Sequence, residues 1–78
     1  ELAKLEQLIK KGQASANDYF RAGEIHTQLG DKAMAQSRFN TAKELFANQG
    51  NTQRVMNVNQ KLEILKTLPS QIQIQQRQ

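Results

Sequence analysis

The chain has 78 residues, no cysteine and a net charge of +4, from 11 Lys+Arg against 7 Asp+Glu. That length holds one small core, and the missing thiols exclude disulfides, cysteine-ligated zinc and a cysteine nucleophile. Leu, Ile, Val and Phe make up only 18 of the 78 residues, and no apolar run approaches the ~20 residues a membrane span needs. Because position 1 is Glu rather than Met, the chain reads as a mature or excised piece of a longer protein. Twelve Gln and six Asn give it an amide-rich surface, which suits solvated helices and their caps.

Glycines punctuate the chain. Gly12, Gly30 and Gly50 each follow a helical pattern, where a left-handed C-terminal cap favours glycine. The first predicted helix runs from about Leu2 to Lys11, with Leu2, Leu5, Leu8 and Ile9 on one face and Glu6 and Lys10 placed as an i,i+4 ion pair. The second runs from about Ala16 to Leu29. Ser15 is its N-cap, and Asp18 completes an acidic variant of the capping box. Tyr19, Ala22, Gly23, His26 and Leu29 share its packing face. The third starts at the cap Asp31 and runs to about Asn48, with the stripe Ala35, Phe39, Ala42 and Phe46 flanked by Met34 and Leu45. The fourth starts near Asn51 or Thr52 and stops before Pro69, with the stripe Val55, Val58, Leu62 and Leu65. Strands have little support. Short connections make neighbouring helices antiparallel, so residues 1–69 read as one all-α domain of helical hairpins. Residues 70–78 read as a flexible Gln-rich tail. Only Ile72 and Ile74 offer it apolar burial, and the sequence shows no partner for them.

The central hairpin reads Tyr19-x2-Ala22-Gly23-x2-His26, then Leu29-Gly30-Asp31, then Ala35-x3-Phe39-x2-Ala42. This pattern resembles the tetratricopeptide (TPR) repeat over Ala16 to Ala47. Small residues fall where the two helices of the hairpin must approach closely, so Gly23 is expected to accept Ala but not Leu. Tyr19 stands for the usual Trp, His26 for the usual Tyr and Ala22 for the usual Leu. Ala47 occupies a position where a helix-ending Pro is common, which predicts a longer third helix. Shifted by 36 positions, Tyr19, Ala22, His26 and Leu29 fall on Val55, Val58, Leu62 and Leu65. Shifted by 37, Leu2, Leu5, Leu8 and Ile9 fall on Phe39, Ala42, Leu45 and Phe46. The resemblance therefore implies a B helix, one full A–B hairpin and a following A or capping helix, in a TPR-like right-handed stack.

Catalytic chemistry has few candidates. His26 is the one histidine, and it lies on a packing face, where an aromatic-sized packing residue is expected. The carboxylates are scattered singly, and Asp18 and Asp31 are committed to caps. There is no Gly-rich phosphate loop. No catalytic residue, metal ligand or cofactor is assigned, and the chain is expected not to be an enzyme. The net positive charge allows nucleic-acid binding, but the basic residues are spread over all four helices and the aromatics lie mostly on packing faces, so this reading ranks below protein binding. The TPR resemblance implies a protein or peptide partner held on the A-helix face. On this chain the second face of the A helices carries Asn17, Phe20, Arg21, Glu24 and Gln28. The shift of 36 takes Phe20 to Met56 and Gln28 to Ile64, both off the packed stripe. These seven residues are the expected partner-binding set. The competing reading gives Phe20 to packing on the first helix, and Met56 and Ile64 to a neighbouring repeat or a second copy of the chain. Some family members clamp acidic peptide tails; Asn17 and Arg21 suit that role, but Glu24 among them would repel a carboxylate.

Overall fold

A computed structural model of the chain describes residues 2–67. Among them are four α-helices and no strand: α1 (Leu2–Lys10), α2 (Ala16–Gln28), α3 (Lys32–Asn48) and α4 (Thr52–Thr67). The fold is all-α, with α1 packed on α2, α2 on α3 and α3 on α4 as successive hairpins. The predicted tail, 70–78, and its boundary at Pro69 lie outside the described residues.

The helix ends follow from local chemistry. Ser15 Oγ accepts from the Asp18 amide at 3.3 Å, and the Asp18 carboxylate accepts from the Ser15 amide at 3.0 Å, so α2 opens on a complete capping box. Asp31 and Asn51 cap α3 and α4 by accepting the amides of Met34 and Arg54, each at 3.3 Å. At the other ends, Gly30 and Gly50 adopt φ of 81° and 73°. That left-handed turn lets the Asp31 amide reach back to the His26 carbonyl (2.9 Å) and the Asn51 amide to the Phe46 carbonyl (2.9 Å). Each glycine thus closes one helix and delivers the cap of the next. As expected from Ala47, α3 continues to Asn48.

The core is the stripe of α3. Ala35, Phe39, Ala42 and Phe46 are all buried, and they pack with Ala16 of α2 and with Val58 and Leu65 of α4. Tyr19, Phe20, Leu45, Val55 and Leu62 are half-buried against this cluster. Leu29 does not belong to it. It is the C-cap of α2, beyond the last packed turn, and is 62% exposed. Phe20 packs on Phe39 of α3, ring centroids 5.6 Å apart, rather than on α1.

The α2–α3 contact is closer than the small-residue pattern required. A Cβ on Gly23 would stand 2.7 Å from two ring carbons of Phe39. The expectation that Gly23 accepts Ala is therefore corrected. The Phe39 ring is 1% exposed and packed among core side chains, so making room for a methyl group means displacing it from that packing.

Two further expectations change at α1. His26 is buried, as a packing residue should be, but its ring is also a polar partner: Nε2 lies 3.2 Å from Glu6 Oε2. Glu6 does not serve Lys10. Arg38 of α3 donates to both its oxygens, from Nε at 3.1 Å and from Nη2 at 2.5 Å. A forked guanidinium at a half-buried site outcompetes an i,i+4 lysine in water. One carboxylate thus ties α1 to both α2 and α3, beside Leu5, the buried side chain of α1. The hydrogen bonds from Arg38 hold the Glu6 carboxyl below its ordinary value; partial burial opposes this, and the bond to His26 adds to it.

Two predictions arise from these contacts. Gly23→Ala will destabilise the chain by about 1–3 kcal/mol through overpacking, despite alanine's better helix propensity. In thermal melts, pairing it with Phe39→Leu will recover part of the loss, and strictly additive effects would contradict the contact. Glu6→Gln will cost about 1–2 kcal/mol at neutral pH. Because the folded-state pKa of Glu6 is depressed, its contribution is full above the ordinary glutamate pKa of about 4.3 and is lost as pH falls through the folded-state value. The stability gap between Glu6→Gln and the unmutated chain will therefore close in acid. A gap that widens there would refute the assignment.

Candidate partner-binding face

Both α2 and α4 pack against α3, and two polar bridges join them directly. Arg54 Nη2 donates to Asn17 Oδ1 at 2.7 Å, and Lys61 Nζ lies 3.4 Å from Glu24 Oε2. On each helix the two bridging residues are seven apart, which is two helical turns. Bridges in step on both helices require α2 and α4 to run parallel, side by side, with α3 behind them.

Arg54 carries most of the upper bridge. Its guanidinium stands over the Phe20 ring at 5.1 Å and over the Phe46 ring at 4.9 Å from the centroids. One side chain of α4 is thus held between an aromatic of α2 and an aromatic of α3. The Nε atom is buried and makes no hydrogen bond, so ring faces take the place of a polar partner there.

Below this rivet, the space between the two parallel helices opens into a cleft of about 160 Å³. Glu24, Thr27 and Gln28 line it from α2, Lys61 and Ile64 from α4, and Phe39 forms its floor. The Thr27 hydroxyl is engaged with the Gly23 carbonyl at 2.8 Å. Ile64 is 54% exposed. The Glu24–Lys61 pair balances the one acidic charge that would have opposed an anionic occupant.

The seven expected residues therefore separate into three groups. Glu24, Gln28 and Ile64 meet at the cleft. Asn17 and Phe20 lie higher on α2, where Asn17 accepts from Arg54 and Phe20 is half-buried beneath it. Arg21 is exposed on α2, and Met56 is 54% exposed on α4, two turns before Ile64 and outside the cleft lining. Sequence reasoning missed Arg54 and Lys61. The signal was present: a shift of 37, rather than 36, places Asn17 on Arg54 and Glu24 on Lys61.

Among the described residues, no group of three or more His, Asp or Glu is placed to hold a metal ion, and no helix is long and apolar enough to cross a membrane.

The geometry predicts a specific loss for Arg54. Arg54→Ala will cost about 1–2 kcal/mol through its two ring contacts, and Arg54→Lys will recover only part of it, because a lysine cannot lie flat between the rings. Chemical denaturation with both variants tests this; full recovery by Lys would show that charge alone matters. Set against family models, curated proteins and solved structures, the chain matches none of them.

Proposed function

We propose that this chain is a non-enzymatic protein–protein interaction module, a TPR-like helical stack that holds a peptide or helix of a partner on the face formed by α2 and α4. The observation that carries this reading is the cleft: a buried aromatic floor, Phe39, and an exposed apolar wall, Ile64, between two helices joined edge to edge. An isoleucine half in water needs no explanation alone, but one on the rim of a cleft is a ready contact for an incoming apolar side chain. The volume, about 160 Å³, is well below the roughly 300–1,000 Å³ of small-molecule sites and suits a single anchoring side chain. With Glu24 and Lys61 paired to each other, the occupant is an apolar segment with polar flanks that Gln28 can meet. The right-handed TPR-like arrangement and its A-helix groove belong to the same proposal; the parallel course of α2 and α4 supports them.

A second reading is favoured by Met56 and Ile64 together. Both are 54% exposed on one helix, which fits self-association through α4.

Selection from a displayed peptide library tests the first reading. Binders should carry an apolar anchor, should shift the amide signals of Thr27, Gln28, Lys61 and Ile64, and should be lost on Ile64→Gln without loss of the fold. Binders that map elsewhere would overturn it. Sedimentation separates the second reading: a dimer that becomes a folded monomer on Met56→Gln with Ile64→Gln would assign α4 to a second copy. Unfolding by the double change would place both residues in the core and remove both readings. By contrast, Leu65→Ala, at a buried position of α4, should cost about 2–5 kcal/mol of stability.

A further inference from the structure

The other flank of α4 borders a groove of different chemistry. It lies between α3 and α4 and has a volume of about 280 Å³, larger than the α2–α4 cleft. Gln36, Asn40 and Lys43 line it from α3, and Asn59, Glu63 and Lys66 from α4, with Leu62 as its one apolar side chain. The hairpin turns at Gly50, so Lys43 and Asn59 lie at the end of the groove near the turn, and Gln36 and Lys66 at the far end. Each helix contributes two turns, about 10.5 Å, which an extended chain covers in about three residues.

Charge is distributed unevenly along this groove. Glu6 is taken by Arg38, Glu24 by Lys61 and Glu63 by Lys66. Lys43 is half-buried, yet among the described residues it has no such partner. Glu63 is the one acid of the lining. It sits a turn beyond Asn59, toward the far end, and is already engaged with Lys66 at 3.5 Å. Glu44 follows Lys43 in the chain but is exposed and outside the lining. The end near the turn therefore offers an ammonium beside an amide, with no carboxylate against it. Gln36, Asn40 and Asn59 are exposed, and each side-chain amide carries both a donor and an acceptor, the same pair that a peptide main chain presents.

We propose that the α3–α4 groove is a second partner site, which holds an extended peptide segment of a partner protein with an acidic side chain against Lys43 and Asn59. The carboxylate supplies the charge that Lys43 lacks, in a charge-assisted hydrogen bond stronger than a neutral one. The main chain of the segment runs on along Asn40 toward Gln36, where amides match its donors and acceptors. The site shares no lining residue with the α2–α4 cleft.

The test is an NMR titration of the full chain, read at the side-chain amide signals of Gln36, Asn40 and Asn59. The probes are a blocked peptide of serine and glycine with one central aspartate, and the same peptide with asparagine in its place. The aspartate peptide should give saturable shifts at Asn40 and Asn59, and the asparagine peptide should bind about tenfold more weakly. Lys43→Gln should abolish the difference between the two peptides while leaving the melting midpoint unchanged, and Lys43→Arg should keep it. Absence of shifts with the aspartate peptide would overturn the proposal, as would a preference that survives Lys43→Gln. Equal shifts with acetate would show a site for free anions rather than for a peptide. Stronger binding of a single-stranded oligonucleotide at the same signals would assign the groove to nucleic acid; either result rejects the proposal. The signals of Thr27, Gln28, Lys61 and Ile64 report on the other cleft, so failure at one site is distinguishable from failure at the other.

Discussion

The absence of one side chain at Gly23 governs the arrangement. With no Cβ there, the Phe39 ring lies directly on the α2 backbone, and α2 and α3 meet at a distance that alanine would hold only by shifting the ring. Phe39 then occupies the centre of the molecule. It packs in the core with α4 residues, stacks obliquely on Phe20 and forms the floor of the cleft. The core and the candidate binding surface share this ring, so packing and recognition are not independent properties of the chain.

Polar contacts set the register that apolar packing leaves loose. Their magnitudes differ. The Glu24–Lys61 pair is more than a third exposed on both sides, and such pairs contribute little to stability. Its effect is electrostatic, leaving the cleft without net charge. Arg54 matters more, because its guanidinium lies over two rings with the Nε edge buried, while the Nη2 edge donates to Asn17. Glu6 plays the corresponding role for α1, where a forked ion pair and an imidazole converge on one carboxylate.

The helices, their caps and the buried stripe of α3 were legible in the sequence because each rests on local chemistry. Gly30, Ser15 with Asp18, and the three-and-four spacing of Ala35, Phe39, Ala42 and Phe46 specify structure within a turn or two of themselves. The candidate site was legible only in part. Gln28 and Ile64 were visible as a second face with apolar character. Arg54 and Lys61 were not, because a basic residue on an amphipathic helix looks solvated until the neighbouring helix is placed. The same limit explains Glu6, which had a plausible partner four residues away and a better one thirty-two residues away. It also explains Gly23, whose need for hydrogen rather than methyl depends on a ring from another helix.

The two bridges between α2 and α4 each join residues thirty-seven apart, Asn17 to Arg54 and Glu24 to Lys61. The chain between them is therefore a ruler. Inserting or deleting one residue within α4, between Arg54 and Lys61, would rotate one bridging residue against the other by about 100°. With Arg54 kept between Phe20 and Phe46, Lys61 would turn away from Glu24 and Ile64 from the rim of the cleft. The seven-residue spacing on α2 and on α4 is thus the length this face depends on, and the α1–α2 connection is under no such constraint.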